Sequence, residues 1–568
     1  MKKLPIIILL LSSAFSSCND LELAPLAEGS VETWYSTEDE IVMSVNDLYK
    51  DAFFPLNVDL NGPDACTDDW MYRESVSPVV NGTINGEWSV ANTEYWLNSY
   101  KAITRCNTLL VNLDRAADEI AATTLAQYEA EVRFIRACQY SRLISYFGDV
   151  VYYTEPLDIE QAFTLGRSPK SEVLQKVYED FDFAADKLPA AYTGSALKKA
   201  TKGAALGMKA RIAMYCDDFT TAKAAAGACM ALGVHKLHAD FASLFLTTTG
   251  YSDEFLFVVP RSIEFKVVVG IQDFIPRNAG GWGAWSPTWD LFCSFLCTDG
   301  LPIDESPLFN PRQPFENRDP RCVATIVEFN TPHLGFMYEP HPDSLEVMNF
   351  GTGRRQINND TRSNAQFASF NGLLWKKGVD ETWMGNSWQA APTKIILRYA
   401  DVLLMYAEAK VKLEEIDQSA LDAINDVRAR AYSVDRNAVT EYPPVTTTNA
   451  RELMRIIMTE RRMEFAYEGV RYMDIIRWRL AEKVLNKPNY GMLDPDALRD
   501  KVVNPGLWFF PEVPPIDEDG IADFSGMYGK GLIKLITQRQ FDKNRQYLWP
   551  IPSKDILIND NLKQNPGY

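Results

Sequence analysis

The sequence predicts a mostly α-helical protein whose helices form pairs, with a large loop-rich region and little β-structure. Apolar residues recur at helical spacing along several segments of the first half of the chain. Segment 254–393 lacks this spacing and is rich in Gly, Pro, Asn and aromatic residues. Helical spacing returns at Ile395. These three observations favour a helical protein that is interrupted by one long irregular region.

In the N-terminal half, helices are predicted over residues 92–115, 125–147, 169–188, 200–215 and 220–232. Gly148, Pro189 and Gly233 follow the second, third and fifth of these segments, and such residues commonly end helices. Consecutive helices of this kind are typical of tetratricopeptide-like pairs, although no repeat consensus can be aligned.

In the C-terminal half, helices are predicted over residues 395–413, 419–431 and 451–467. The loop-rich segment contains short strands such as 255–259, and residues 490–546 are again irregular. Long irregular stretches are usually functional or disordered, and the many aromatic residues argue against disorder. We therefore expect these stretches to carry the function.

Residues 460–479, ERRMEFAYEGVRYMDIIRWR, are predicted to be helical and strongly charged. Glu460, Glu464 and Glu468 recur at i, i+4 spacing among several arginines. Glu460 and Glu464 fall beside the apolar stripe, where burial is costly unless arginine forks satisfy their oxygens. Carboxylates on one helix face cannot easily flank a scissile glycosidic bond from two sides. We therefore expect a structural role for them rather than catalysis.

Four motifs in order connect the sequence with a known family. They are LRYADVLLMYAEA at 397–409, INDVRARA at 424–431, the charged stretch at 460–479, and the terminal YLWPIP and QNPGY at 547–552 and 564–568. The set closely resembles the SusD/RagB family of outer-membrane glycan-binding lipoproteins, and the resemblance extends to residues 131–157 and 200–215. It implies an N-terminal SusD-like helical-repeat part over 18–250. The C-terminal SusD/RagB part would cover 254–568 and contain the loop-rich ligand region 254–393.

The N-terminus has the features of an export signal over residues 1–17. A basic start precedes an apolar run at 4–11 and a small-residue stretch that ends at Cys18. The apolar run is much shorter than a membrane-spanning helix. A cysteine at this place resembles a bacterial lipobox, with Phe15 where leucine is usual, and a plain secretory signal is the alternative. We expect Cys18 to be acylated, so that a lipid anchor alone attaches the protein to the outer membrane.

Charge and cysteine usage exclude some classes of protein. Lys and Arg number 57 and Asp and Glu number 76, which gives a net charge of −19. Nucleic acid is an unsuitable partner, because its phosphates require a basic face. The eight cysteines after Cys18 lack paired or zinc-finger spacing, so we expect mostly buried free thiols.

No motif for nucleotide binding, metalloprotease, serine-hydrolase or EF-hand chemistry occurs in the chain. His235 and His238 are three residues apart, but no third ligand for zinc is evident. We therefore expect no catalytic residues, no cofactor and no metal site.

Aromatic residues on loops provide the strongest binding signal. In AGGWGAWSPTWDLF, at 279–292, Trp282 and Trp285 lie among glycines that prevent a regular element from carrying the rings inward. A sugar ring can lie flat on indole while amides and carboxylates bind its hydroxyls. The candidate ligand residues are Trp88, Asn92, Asp69, Trp282, Trp285, Trp383, Asn386 and Trp388. For any one tryptophan a core position is equally open, whereas Trp96, Trp289 and Trp478 are expected in the core.

The sequence thus predicts a surface-anchored protein that binds a glycan without cleaving it. The family resemblance implies a partner as well, a SusC-like TonB-dependent transporter that receives the glycan. Two alternatives remain open, a surface glycosidase with two carboxylates in one cleft and a helical-repeat adhesin that binds protein.

Overall fold

A computed structural model describes residues 34–55, 62–73, 75–194 and 198–568. The predicted signal peptide and Cys18 lie outside these residues. Within them, no helix is both long and apolar enough to span a membrane. The molecule is mostly helical, with short strands and long irregular connections, so the predicted fold class is confirmed.

The N-terminal half is built from helices. They are α1 (Glu38–Asp47), α2 (Asn98–Asn112), α3 (Ala122–Phe147), α4 (Ile159–Thr164), α5 (Lys170–Lys187), α6 (Lys202–Tyr215) and α7 (Phe219–Ala231). A π-helical segment, Ala91–Leu97, leads into α2, and 3-10 turns occupy Asp51–Phe53, Pro63–Cys66, Leu113–Ala116 and Ser243–Phe245. All five helices predicted here are confirmed, with ends that differ by a few residues.

Local signals account for where these helices begin and end. Thr201 and Asp218 accept hydrogen bonds from main-chain nitrogens in the first turns of α6 and α7. Gly148, directly after α3, has a φ of 75°, a conformation that favours glycine. The residues that end these helices were therefore identified correctly from the sequence.

The C-terminal half contains shorter helices and a second group of long ones. They are α8 (Trp289–Ser294), α9 (Pro320–Thr325), α10 (Tyr399–Lys412), α11 (Gln418–Ala431), α12 (Ala450–Glu464), α13 (Arg471–Arg477), α14 (Ala481–Val484), α15 (Pro495–Leu498), α16 (Ser525–Gly529) and α17 (Ser553–Ile558). The 3-10 turns Arg277–Ala279 and Glu381–Trp383 and the π-helical segment Arg499–Val503 complete the helical elements.

The long helices form one continuous stack. Helix α3 packs on α2 and α5, α5 on α6, and α6 on α7. Helix α7 then packs on α10, which contacts α11 and α12. Helices of the C-terminal half therefore extend the stack that the N-terminal half begins.

The strands are short and pair in antiparallel fashion. They are β1 (Trp70–Tyr72), β2 (Phe255–Val259), β3 (Val269–Gly270), β4 (Trp285–Pro287), β5 (Thr331–His333), β6 (Phe336–Tyr338), β7 (Glu346–Asn349), β8 (Arg354–Ile357), β9 (Gln389–Ala390), β10 (Lys394–Arg398), β11 (Asn489–Gly491) and β12 (Lys534–Thr537). Strands β5 to β8 form one sheet, and the pairs are β1 with β4, β2 with β10, β3 with β9 and β11 with β12. Two of these pairs, β1 with β4 and β2 with β10, join the loop-rich region 254–393 to strands outside it.

Two helix predictions are wrong in part. Residues 395–398 belong to β10, because they pair with the buried strand β2 before α10 begins. The stretch 460–479 is not one helix, since α12 ends at Glu464 and α13 starts at Arg471. Between them Tyr467 and Gly469 have φ values of 66° and 73°, which a helix does not allow.

The carboxylates on α12 are buried and have the arginine partners that burial requires. Glu464 is fully buried and accepts hydrogen bonds from Arg398 at 2.6 Å and Arg321 at 3.0 Å, and it also binds Arg430. Glu460 is buried beside it and pairs with Arg428 at 2.8 Å. Hydrogen bonds from these guanidinium groups offset the free-energy cost of burying the two carboxylates.

Most of the predicted core residues are found inside. Trp96 and Trp289 are buried, and Trp478 is half-buried with its Nε1 donating to Glu408. The cysteines of the described residues are free thiols, and all except the half-buried Cys216 are buried.

Candidate functional site

An exposed tryptophan, Trp282, lies on the turn that precedes β4. Its side chain is 46% exposed, whereas its neighbours Gly281 and Gly283 are buried. A Cβ on Gly281 would lie 2.3 Å from the carbonyl oxygen of Ile275, so only glycine lets the chain fold back so tightly. This tight turn leaves the Trp282 indole exposed to solvent.

This turn is held by several polar contacts. The Asp360 carboxylate accepts hydrogen bonds from the main-chain nitrogens of Arg277 at 2.7 Å and Asn278 at 3.3 Å. The Asn278 side-chain amide donates a hydrogen bond to the Asn358 side-chain oxygen. The main-chain nitrogen of Trp282 donates to the Gln272 carbonyl at 2.9 Å. Trp282 is therefore exposed on a firmly positioned loop.

A second tryptophan, Trp388, lies next to this turn. Its ring stacks on Trp383, with ring centroids 4.6 Å apart and planes 10° from parallel. The pairing of β3 with β9 brings the two loops together, and the Trp388 carbonyl accepts a hydrogen bond from Ile271 at 2.9 Å. Trp388 is half-buried and its indole covers Gly280, two residues before Trp282.

Arg73 contacts both the Trp282 main chain and Phe367. Strand β1 pairs with β4, and the main-chain nitrogen of Arg73 donates a hydrogen bond to the Ala284 carbonyl at 3.3 Å. The Arg73 guanidinium lies 5.3 Å from the centroid of the Phe367 ring, which is 48% exposed. We call Trp282, Trp388 and Phe367 the aromatic platform.

Two of the predicted platform tryptophans are not exposed, so that part of the prediction is wrong. Trp285 is 5% exposed and packs edge-on against Trp70 and Phe274, with centroids 5.0 and 4.7 Å away. It lies in β4, all of which is buried, instead of on a free loop. Trp383 is 8% exposed, and its ring stacks on that of Trp388.

The expected role of Asp69 is also wrong, because its carboxylate faces the interior. Asp69 is 2% exposed and accepts a hydrogen bond from Arg462 at 2.6 Å, beside the equally buried Asp68. Burial raises the pKa of Asp69, with Asp68 acting in the same direction. The carboxylate is therefore part of the buried ion-pair network and is out of reach of a surface ligand.

The remaining candidates fall into two places. Asn386 lies in the loop of Trp383 and Trp388, and its amide donates to Thr382 at 2.9 Å. Trp88 is half-buried against Trp549, and Asn92 donates to Gly86 at 2.9 Å. In the described part of the chain, neither a hydrogen bond nor a ring contact joins Trp88 or Asn92 to the platform.

Sequence reasoning missed Tyr72, Arg73, Arg277 and Phe367. Tyr72 and Arg73 belong to the stretch DDWMYRES, at 68–75, which mixes aromatic and polar residues. Asp69 precedes β1 and is buried, whereas Arg73 follows β1 and is half-buried. Nothing in the local sequence distinguishes Phe367 from a core phenylalanine.

Metal-binding geometry is not found in the described ranges, where no three His, Cys, Asp or Glu side chains form a group suited to an ion. His235 contacts the Asp253 carbonyl, and His238 contacts Ser252 and Ser243. Both histidines therefore have ordinary polar partners.

Family models match most of the chain. The model described as the SusD family matches residues 269–568, and the model described as starch-binding and associating with the outer membrane matches residues 39–214. The chain is 24% identical over 521 residues to SusD-like protein P25 of Formosa agariphila, covering 86% of this chain and 92% of that protein.

Solved structures show the same fold. A SusD-like carbohydrate-binding protein from Bacteroides fragilis superposes with a TM-score of 0.76 at 27% identity, covering 93% of this chain and 99% of that one. A laminarin-binding SusD-like protein superposes with a TM-score of 0.60 at 18% identity, covering 94% and 100% of the two chains. The resemblance inferred from the four motifs is thereby confirmed.

Proposed function

Because the chain belongs to the SusD family, we propose that it is a cell-surface protein that binds a glycan at the aromatic platform. The observation that carries this proposal is the exposed Trp282 ring on a tight turn, with Trp388 packed against Gly280 of the same turn and the exposed Phe367 packed against Arg73. Clustered exposed apolar side chains often mark a binding site on a protein surface. The relatives named as carbohydrate-binding and laminarin-binding support a saccharide as the ligand.

The platform suits a sugar chain physically. A pyranose ring presents an apolar C–H face to an indole, and each stacked ring contributes about 1 kcal/mol beyond the area it buries. Several rings must act together, so the affinity is modest and suited to passing the glycan onward. Asn386 and Arg73 place polar groups beside the rings for the hydroxyls.

The protein would act in nutrient uptake at the outer membrane. We propose that acylation of Cys18 anchors it to the outer face and that a SusC-like TonB-dependent transporter receives the glycan. The family model that names an association with the outer membrane supports this location. Glycan hydrolysis is not expected, because Glu460 and Glu464 are already occupied by buried arginines.

The test is glycan binding by the soluble chain that starts after Cys18. A glycan array of plant, host and microbial polysaccharides identifies a ligand, and calorimetry then compares Trp282→Ala with the unaltered chain. Phe350→Ala is the matched control, because Phe350 has the same 46% exposure and lies on the β7–β8 turn, outside the platform. Loss of binding in Trp282→Ala alone supports the proposal, whereas full affinity in Trp282→Ala, or no binding on the array, contradicts it.

A further inference from the structure

The turn that carries the exposed platform ring begins with a cap from a distant segment. Its first element is the 3-10 turn Arg277–Ala279, and the preceding Pro276 makes no side-chain hydrogen bond to it. The main-chain nitrogens of Arg277 and Asn278 donate instead to Asp360, at 2.7 Å to Oδ1 and 3.3 Å to Oδ2. The first N–H groups of a helical turn have no partner within it, so Asp360 supplies acceptors that the local sequence lacks.

A second exchange of hydrogen bonds joins the same two segments. The Asn278 side chain donates to Asn358 Oδ1 at 3.0 Å, and its own oxygen accepts from the Asn359 nitrogen at 2.8 Å. Asn358 is fully buried, and its amide donates to the carbonyls of Glu339 and Ser344 at 2.8 and 2.7 Å. Segment 358–360 is therefore fixed to the β6–β7 loop, and the turn is fixed to that segment.

The two segments that Asp360 joins both belong to the platform. The turn carries Trp282, and the chain that follows Asp360 carries Phe367. Arg73 bridges them on the surface, because it donates to the Trp282 carbonyl at 3.2 Å and its guanidinium lies 5.3 Å from the Phe367 ring centroid. A binding surface made of separate rings works only when buried contacts behind it fix the positions of those rings.

We propose, on the basis of the proposed glycan-binding function, that Asp360 is a positioning residue of the aromatic platform, whose ionised carboxylate holds the turn of Trp282 in the glycan-binding geometry. Asp360 is 4% exposed and does not reach a surface ligand itself. An ionised carboxylate accepts at both oxygens, whereas protonation turns one oxygen into a hydroxyl donor. The charged form is therefore the one that satisfies both main-chain nitrogens.

The surroundings of Asp360 allow this carboxyl to change its charge at mild pH. Burial raises the pKa of Asp360 from 3.8 to about 6, while the two main-chain hydrogen bonds and the Arg277 charge act in the opposite direction. Tyr338 on β6 also faces Asp360, and its own pKa is raised by burial and by that carboxylate. Arg362, on the same segment as Asp360, pairs with Asp494 at 3.0 Å.

Positioning and stability should respond to pH with opposite signs. A folded pKa above the unfolded value stabilises the protein at low pH, and this stability is lost as the pH rises through about 6. Glycan affinity should instead rise over the same range, because the charged form of Asp360 holds the turn. A purely structural role would move affinity and melting temperature together, so the sign of the two changes distinguishes the roles.

The first experiment measures affinity by calorimetry near pH 5 and near pH 7.5, with the tightest-binding oligosaccharide of the glycan array as probe. The variant is Asp360→Asn, which keeps one acceptor but cannot ionise. The control is Glu339→Gln, because Glu339 is equally buried and its pKa is raised by burial to about 7. The Glu339 carboxylate accepts from the His341 nitrogen and makes no hydrogen bond to the turn.

Near pH 7.5, Asp360→Asn should bind the oligosaccharide about fivefold more weakly than the unaltered chain. Near pH 5 the two proteins should bind with similar affinity, since both then lack the charge. Glu339→Gln should keep the pH profile of the unaltered chain. Melting temperatures of all three proteins at both pH values show whether the variants are folded.

The second experiment observes the turn without a glycan. The chain is labelled with 5-fluorotryptophan, and because it contains 13 tryptophans the Trp282 signal is assigned by its loss in Trp282→Phe. The fluorine shift of Trp282 should titrate with a midpoint near pH 6 in the unaltered chain and in Glu339→Gln. It should be independent of pH in Asp360→Asn.

Native affinity in Asp360→Asn near pH 7.5, or an unchanged pH profile in that variant, overturns the positioning role. If Asp360→Asn does not fold, the unaltered chain decides, and a Trp282 signal that does not titrate near pH 6 overturns the role. If a glycan binds, depends on Trp282 and is indifferent to Asp360, the proposed function stands without the positioning role. If no glycan binds at either pH, both are overturned.

Discussion

The Trp388 indole lies directly against Gly280, so that a Cβ on Gly280 would come within 2.8 Å of the ring. This contact joins the two loops that carry the platform. Gly280 also has a φ of 91°, which L-residues rarely adopt. One position therefore combines a backbone requirement with a packing requirement.

We expect Gly280→Ala to displace Trp388 and to weaken glycan binding severalfold. The strained φ and the steric overlap together should cost about 1 to 3 kcal/mol of folding stability. Thermal unfolding and calorimetry on the same preparation check both effects. Gly335→Ala is a control for the backbone strain, because Gly335 has a φ of 82° with open space around it. Native affinity in Gly280→Ala would show that the two loops do not depend on each other.

The fold was largely predictable because its signals are local. Periodic apolar residues and helix-ending glycines such as Gly148 and Gly233 specify helices without knowledge of the tertiary structure. The break between Glu464 and Arg471 was missed because the charged periodicity continues through it.

The site was only partly predictable because it is assembled from distant segments. Glycines around Trp282 correctly indicated an exposed turn, but the same reasoning failed for Trp285, which lies three residues later and is the first residue of β4. Whether a ring faces solvent depends on pairing with β1, more than two hundred residues away, and no local pattern contains that information.

We expect opposite outcomes for the two neighbouring tryptophans. Trp282→Ala should retain the native melting temperature, since the ring contributes little to the core. Trp285→Ala should lose about 3 to 5 kcal/mol of folding stability, because a fully packed aromatic side chain leaves a cavity. Chemical denaturation of both variants tests this. A stable Trp285→Ala protein would show that the core beneath the platform can collapse around the loss.

Glu464→Ala should destabilise the protein by about 3 to 5 kcal/mol, because three buried guanidiniums would lose a shared acceptor. Burial alone would raise the pKa of Glu464. The pKa is nevertheless held well below its usual range by the charges of Arg430, Arg398 and Arg321. Glu518→Ala is the control, since the Arg451–Glu518 pair is largely exposed and should contribute under about 1 kcal/mol. Similar urea midpoints for the two variants would contradict the structural role of Glu464.

The last prediction concerns a cavity of about 120 Å³ that Asp64, Lys377, Arg261 and Glu468 help to line. Asp64 accepts a hydrogen bond from the Gly469 nitrogen at 3.0 Å, while its Oδ1 is buried without a partner. Burial raises the pKa of Asp64 from 3.8 to about 7, with the neighbouring Asp69 acting in the same direction. Asp64 is therefore neutral in the folded protein at pH values where the unfolded chain has already ionised it.

A pKa that is higher in the folded than in the unfolded state adds stability at low pH, and this stability is lost as the pH rises through the folded value. The Asp64 contribution should accordingly be complete below about pH 4 and disappear by about pH 7, a change of at most about 4 kcal/mol. Asp64→Asn keeps the acceptor for Gly469 but cannot ionise. Its melting temperature should exceed that of the unaltered chain by much more near pH 7.5 than near pH 4.5. Burial lowers the pKa of Lys377 to about 8, so the comparison is confined to pH values below that range. A difference in melting temperature that stays constant from pH 4.5 to 7.5 would show that Asp64 does not titrate in this window.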